Sequence, residues 1–538
     1  GNKLLAEAEE RDEIPCIFVQ NFLRLFLLIL ENIRQTGEKQ ECAGMRNEVL
    51  RMERVTYKED EVVKLKDFNL QIFQGEVMGF LPVNSHGKTA LLKLLERNLP
   101  LYDGYIYYGG EKVNTWKEHY KAANRISIIQ EKSSLAGNLN IADNIFVLRP
   151  GFRQWVIRTK ILNRQMKPFF EDIGMDIPLN KDVEKLSTFE RIIVELLRAV
   201  IMGYHLIVLD EVGALVSDDE LKKLHGIIRH YVEKGFSFLY ICSHLEEISS
   251  ICDRCALFTN GRIQKILERE ELFNDPSVTY MTEYNDMVRY HTEKREGKQA
   301  APVVFQWKGY GEDAACNFSF DVHKGECLAV QIMDARGMEE LRKILTGDIL
   351  PESGELLLNG KQTEIPGNCR IAVIQERTTK TMIFPELDYM NNLCICLTEK
   401  VPSIWHNKRL QKSIRNEYSP ILGSDVFEMP VEELSEKQKY QLVYTRVLLQ
   451  KPEILFCIQP FCGADLAHRM FIWSMLEKFL DKGISVVILS LNLSDSLAMA
   501  DRLLILGENG EKREIARENF HKITSPVPWL HMYLSERK

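Results

Sequence analysis

Along most of the chain, short apolar runs alternate with segments of helical period. Val77–Leu81, Ile126–Ile129, Leu206–Leu209 and Ser237–Ile241 are rich in β-branched and aliphatic residues and short enough to be buried strands. Between them, Ala90–Glu96 and Phe189–Met202 space their apolar residues as one face of a helix. Regular strand–helix alternation predicts an α/β fold in which helices cover a mostly parallel sheet.

The pattern then repeats. Gln74-Gly75-Glu76 recurs as Lys324-Gly325-Glu326, 250 positions on. Leu186-Ser187 recurs as Leu434-Ser435 and the run Leu206 to Glu211 as Ile454 to Gln459, both at 248. Ser243 stands opposite Ser490 at 247, which places Leu491 opposite His244. Four matches in one order at a nearly constant offset mark a tandem duplication. The expected domains are an N-terminal helical extension over 1–45, a first unit over 46–290 and a second over 291–538. The charged stretch Thr282 to Ala301 fits a helix running into a linker near Gly297.

Composition narrows the class. The chain has 538 residues, 45% hydrophobic and 27% charged, as in a soluble protein with real cores. A net charge of −8 argues against nucleic acid as the main partner, because phosphate-backbone binders carry a basic face. The 12 cysteines include a single CxxC spacing, Cys252-Asp253-Arg254-Cys255, with no second pair to complete a zinc ribbon, and their spacings suit no disulfide framework; they read as buried thiols of a reducing cytosol. The most apolar stretch, Cys16 to Leu30, is shorter than the roughly twenty residues that span a bilayer. Gln20, Asn21 and Arg24 interrupt it, so it is expected as a helix docking on a partner, on the rest of the chain or at a membrane surface.

Candidate chemistry follows the strands of the first copy. After Val77–Leu81 comes Pro82-Val83-Asn84-Ser85-His86-Gly87-Lys88-Thr89 and a helix start. This meets the phosphate-loop pattern at Gly87, Lys88 and Thr89 and misses its first glycine at Pro82. Backbone N–H groups converging on phosphate at a helix N-terminus, a lysine for β/γ oxygens and a hydroxyl for Mg²⁺ are what such a loop supplies. Asn84, Ser85, His86, Gly87, Lys88 and Thr89 are therefore candidate nucleotide contacts. Gln130 closes a strand where its amide reaches metal or water, and Asp210 and Glu211 end the next one, as a metal-holding carboxylate and a water-activating base do. Thr89, Gln130 and Asp210 form the candidate Mg²⁺ set, with Glu211 and His244 as candidate catalytic groups.

The order Lys88, Gln130, Leu186-Ser187, Asp210-Glu211 and His244 resembles the nucleotide-binding subunits of ABC transporters. The fused double cassette, with Ile141 to Phe146 and Ile251 to Arg262, looks most like bacterial monosaccharide importers, from about Asn47 to the C-terminus. The resemblance implies two tandem P-loop cassettes, each with a helical subdomain, here about 135–187 and 385–435. It implies ATP and Mg²⁺ as ligands, membrane permeases as partners and a cytoplasmic place on the inner face of the membrane. It also implies two nucleotides sandwiched head to tail, each between one copy's phosphate loop and the other's signature, so Ser435 faces the site of Lys88. By the same likeness an aromatic near the start of the cassette stacks on adenine; Tyr57 lies close, although direct alignment puts Glu59 there.

The sequence departs from that pattern. Phe189 stands where the first signature needs glycine, and Glu436 and Lys437 occupy the glycine positions of the second. Val212 follows Asp210-Glu211 in place of proline. In the second copy Met338 replaces the lysine, Glu339 the hydroxyl, and Ile458 and Gln459 the acidic pair. Gly337, Pro460, Gly463 and Asp465 keep only the outline. One MgATP site, on the first copy, is expected, with slow or absent hydrolysis. The competing reading is a regulatory or scaffold pseudo-ATPase that senses ATP for a signalling or membrane partner.

Overall fold

Each run anticipated as a strand is one, and three of the four extend by a single residue into the motif that follows. In chain order the first copy builds β1 (Glu48–Glu59), β2 (Val62–Phe73), β3 (Val77–Pro82), β4 (Asp103–Tyr108), β5 (Glu111–Val113), β6 (Ile126–Gln130), β7 (Leu206–Asp210), β8 (Ser237–Ile241), β9 (Arg254–Thr259) and β10 (Arg262–Glu268). They form an antiparallel sheet ordered β2-β1-β4-β5 and a six-stranded sheet ordered β10-β9-β3-β8-β7-β6. In the larger sheet β3, β6, β7, β8 and β9 run parallel, and β10 returns antiparallel at the edge. Strands β3, β7 and β8 are apolar almost throughout because both faces are covered.

The computed structural model describes residues 47–114, 126–147, 159–272, 301–309, 318–333, 335–350, 353–397, 408–423, 425–507 and 511–523. The N-terminal extension with its apolar stretch and most of the inter-copy linker lie outside these residues. Among them, no helix is long and apolar enough to cross a membrane.

The second copy repeats the topology. It comprises β11 (Val303–Lys308), β12 (Ser319–His323), β13 (Cys327–Ile332), β14 (Glu355–Leu358), β15 (Lys361–Gln362), β16 (Ile371–Ile374), β17 (Ile454–Ile458), β18 (Ser485–Ser490), β19 (Arg502–Leu506) and β20 (Lys512–Ala516). The sheets are ordered β12-β11-β14-β15 and β16-β17-β18-β13-β19-β20, the arrangement of the first copy strand for strand. The polar framework repeats too. Val77 N donates to Asp253 and Cys327 N to Asp501, both at 2.8 Å. Arg254 pairs with Glu76 at 2.6 Å and Arg502 with Glu326 at 2.7 Å.

Helical segments follow the same rule. Ser187 caps the helix Thr188–Ile201 through a reciprocal bond with Glu190, and Ser435 caps Glu436–Gln450 through one with Gln438. The fully buried Asn144 bonds the backbone at Ala136, Leu139 and Asn140, and Asn392 does so at Phe384, Leu387 and Asp388. Each amide thus pins a turn of the expected helical subdomain. One apolar cluster runs through both copies, joining Leu209 and Tyr240 with Cys457 and Ile488. A shared core fixes the two six-stranded sheets relative to each other.

Candidate functional site

The loop from β3 into the helix Lys88–Glu96 is fastened to neighbouring strands. Pro82 is the last residue of β3, in register with Phe258, and Val83 N donates to Phe258 O at 2.9 Å. The Asn84 amide donates to Thr259 Oγ1 at 3.0 Å and Asn260 Oδ1 at 2.9 Å. Its side-chain amide therefore braces the loop against β9 and the turn that follows it. His86 Nε2 lies 3.3 Å from the carbonyl oxygen of Val63. Gly87 adopts φ 92°, and a Cβ there would lie 2.5 Å from Lys64 O, so only glycine closes this turn. Helix Lys88–Glu96 starts immediately after it, burying Ala90, Leu91, Leu94 and Leu95 while Thr89 stays exposed.

Around this helix start the acidic groups converge. Lys88 Nζ is 2.8 Å from Asp210 Oδ1 and 3.6 Å from Glu211 Oε1. Burial opposes the lysine's charge, but Glu211 and Asp210 outweigh it and raise Lys88 above the ordinary lysine value. Ser243 Oγ donates to Glu211 Oε1 at 2.6 Å. Gln130 sits beside Asp210 in the parallel register of β6 and β7, with its side chain exposed. Glu211 holds a left-handed backbone, φ 54°, which turns its carboxylate out of the strand line toward the lysine. His244 caps the helix Leu245–Ile251, three residues beyond the end of β8.

The second copy reaches into this site. Asp465, capping the helix Leu466–Asp481, accepts from both the backbone N–H and the hydroxyl of Ser85 at 3.0 Å. His468 Nδ1 is 2.7 Å from Asp465 and its ring stacks on Tyr440, on the helix that Ser435 caps. That chain of contacts connects the first phosphate loop to the second signature helix. Ser435 itself spends its hydroxyl on the capping box, and Glu436 pairs with Lys439 at 3.0 Å on the same helix. His244 Nε2 lies 2.9 Å from Asp495 Oδ2 of the second copy, and Arg469 also binds Asp495. Arg469 Nη1 further donates to Ser243 O at 2.8 Å. Reciprocally, Gln331 at the end of β13 donates to Asp218 of the first copy at 2.8 Å, and Asn492 to Gly213 O at 3.3 Å. Sequence reasoning missed Asp218, Arg469 and Asp495, whose contacts here are with the other copy.

In the second copy the corresponding loop is gone. The helix begins at Ala335, so Gly337 is an interior helical residue and no glycine turn precedes Met338. Met338 is 5% exposed and packs with Leu341 and Ile332, while Glu339 pairs with Arg342 at 2.7 Å. Gln459 keeps the left-handed backbone of Glu211, φ 43°, without its charge. Strand register places Asn492, not Leu491, at the position of His244: Val77 pairs with Phe238 as Cys327 pairs with Val486, an offset of 248. Gln375, directly after β16, stands where Gln130 ends β6, a retained residue that sequence comparison passed over.

Residues 65–214, from β2 through the acidic pair, match the ABC transporter family. The ribose import ATP-binding protein RbsA of Clostridium perfringens (strain 13 / Type A) is 26% identical over 492 residues, 88% of this chain and 97% of that protein. A galactose/methyl galactoside import ATP-binding protein, MglA of Clostridium tetani, is 24% identical over 473 residues, covering 86% and 94%. Along most of its length this chain is similar to double-cassette ATP-binding proteins of ABC transporters. A solved nucleotide-free ATP-binding cassette from an ABC transporter is 20% identical, covers 43% of this chain and 97% of its own, and has a TM-score of 0.38.

ATP and Mg²⁺ are the ligands of ABC ATPases, and the first cassette of this chain suits them. Its glycine turn has no room for a Cβ, its lysine stands at a helix start, and a carboxylate, an amide and a hydroxyl surround it. The second cassette does not fit: an apolar side chain and a continuous helix fill the place of lysine and loop.

Tyr57 is 9% exposed and packs in the core of the antiparallel sheet, so it offers no open ring face for stacking. Glu59 instead binds Lys93 at 2.5 Å. Phe189, at the first signature's glycine position, is likewise buried in the main core.

Proposed function

We propose that this protein is the ATP-binding subunit of an importer for a small sugar, with one MgATP site, on the first cassette, and a second cassette that serves as a wall. The supporting observation is the contrast between Lys88, set between Asp210 and Glu211, and Met338, packed into a core behind a helix that has no phosphate loop. In this reading the backbone of Ser85 to Gly87 and the Lys88 ammonium hold the phosphates, and Thr89, Gln130 and Asp210 hold Mg²⁺. Glu211 orients or deprotonates water, and His244 contacts the terminal phosphate. Bound Mg²⁺ supplies charge neutralisation of the phosphates. Ser435 belongs to the opposing wall, coupled to the loop through Asp465, His468 and Tyr440.

The sugar and the docking partners are carried over from the relatives named for ribose and galactose import; membrane permeases are the fitting partners, with the protein on the cytoplasmic face. We divide the chain into 1–45, 46–290 and 291–538 on the same reading. A regulatory role as an ATP-sensing scaffold draws support from the pairing of Ser85 with Asp465, which ties an amide of the phosphate loop to the second cassette.

Titration calorimetry tests the single site. One MgATP per chain is expected, with a Kd between tens of micromolar and about a millimolar, lost in Lys88→Ala and unchanged in Met338→Ala. Two equivalent nucleotides would refute it.

A further inference from the structure

Past β8 the chain runs Cys242-Ser243-His244 into the helix Leu245–Ile251, whose first turn carries Glu247. Cys242 Sγ, a ring nitrogen of His244 and a carboxylate oxygen of Glu247 all lie within 4.8 Å of one another. Cys242 is a free thiol, and neither it nor Glu247 has a part in the nucleotide site. Both are buried, 2% and 1% exposed.

The surroundings are those of a built site. Asp495 lies 2.9 Å from His244 Nε2, which leaves Nδ1, 4.0 Å from Cys242 Sγ, as the ring atom facing the thiol. A carboxylate on the far nitrogen is how metal-binding imidazoles are oriented and made more basic. Arg469 fixes that carboxylate in turn. The His244 backbone N–H donates to Cys242 Sγ at 3.3 Å, a contact that favours thiolate. Tyr240 OH donates to Glu247 Oε1 at 2.5 Å and so aims the carboxyl group. Glu247 packs against the bare backbone of Gly213, where a Cβ would fall 2.0 Å from its Oε1. Thiol, imidazole and carboxyl thus face one spot at which Cys242 and Glu247 are both buried, a donor set for one divalent cation.

We propose that Cys242 Sγ, His244 Nδ1 and the Glu247 carboxylate form a binding site for a borderline-soft divalent metal, with Zn²⁺ as its ligand. Thiolate and imidazole donors select Zn²⁺ over Mg²⁺, and three protein ligands leave a fourth position open. Binding releases the Cys242 proton, and the Glu247 proton where present, to solvent. The metal holds His244 on the Cys242 side and stiffens its link to Asp495, which competes with the terminal-phosphate contact proposed for His244, so Zn²⁺ regulates the coupling of the two cassettes. The donor set stands whether or not the neighbouring nucleotide site hydrolyses ATP.

The test uses the full chain, chelator-treated and free of nucleotide, titrated with Co²⁺ as a spectroscopic substitute. One Co²⁺ per chain is expected, with intense near-ultraviolet sulfur-to-cobalt charge transfer that Zn²⁺ abolishes and Mg²⁺ does not. Cys242→Ser is expected to lose the band and, like Glu247→Gln, to weaken Zn²⁺ binding at least about tenfold. Retained MgATP binding shows that the variants are folded. The absence of the band in the unmodified chain overturns the site, as does its persistence in Cys242→Ser, which would assign the metal to another cysteine.

Discussion

Asp465 of the second cassette accepts both the backbone N–H and the hydroxyl of Ser85 in the first, each at 3.0 Å. Burial opposes its charge, but His468 and Ser85 outweigh that and keep Asp465 below its ordinary value, hence ionised. A carboxylate in this place competes with phosphate for the same donors and repels it. Asp465→Asn keeps a good helix cap and removes the charge. MgATP binding is expected to tighten about three- to tenfold, read by calorimetry, an effect of about 1 kcal/mol. Weaker binding would show that the contact supports the nucleotide instead.

Glu211 is held by Ser243 and by Lys88 at the bend after β7, the one described carboxylate placed to act on water beside Asp210. The opposing wall carries Glu436 and Lys437 in place of glycines, so turnover is expected below about 1 per second, under most enzymes. Glu211→Gln should lower phosphate release at least about tenfold further while MgATP still binds. Faster turnover that this change removes would restore an efficient ATPase.

Gly87 takes φ 92° against the carbonyl of Lys64. Alanine there meets both a left-handed backbone and a 2.5 Å contact. A loss of about 1–3 kcal/mol is expected in urea unfolding, together with loss of MgATP binding. Gly337→Ala, inside a helix, should be neutral or stabilising by up to about 1 kcal/mol.

Asp495 joins the cassettes through His244 and Arg469, with Glu246 close by. Burial alone would raise its carboxyl, but Arg469 and His244 outweigh burial and hold it well below the carboxylate range. A depressed folded pKa gives stability that is complete above the unfolded value, about 4, and is lost as pH falls toward the folded one. Asp495→Asn leaves Arg469 buried without its counter-charge and is expected to cost about 3 kcal/mol at pH 7. The gap to the unmodified chain should narrow steadily below about pH 4, measured by urea unfolding across pH.

Strands such as β3, β7 and β8 were legible because both faces are buried and their residues form short continuous apolar runs. Lys88, Asp210 and Glu211 were legible because each sits at a strand end or helix start that the pattern marks. The tie of Asn84 to Asn260 and the packing of Tyr57 in a sheet were not legible, since residue type reveals neither contact. Asp495 and Arg469 were silent because their partners lie more than two hundred positions away in the other copy. The helix that swallows Gly337 was hidden for another reason: replacing a loop by helix leaves the local spacing intact.

The bend at Gln459, φ 43°, keeps the backbone of Glu211 without its carboxylate. Reinstating carboxylates at 458 and 459 would set them on a backbone already shaped for them. The phosphate loop offers no such return: from Ala335 onward it has wound into helix, and Met338 is sealed in apolar surroundings. The two differences from the first copy therefore respond differently to substitution. Point changes suffice at the strand end, whereas a phosphate loop at Ala335 to Met338 requires several coordinated changes.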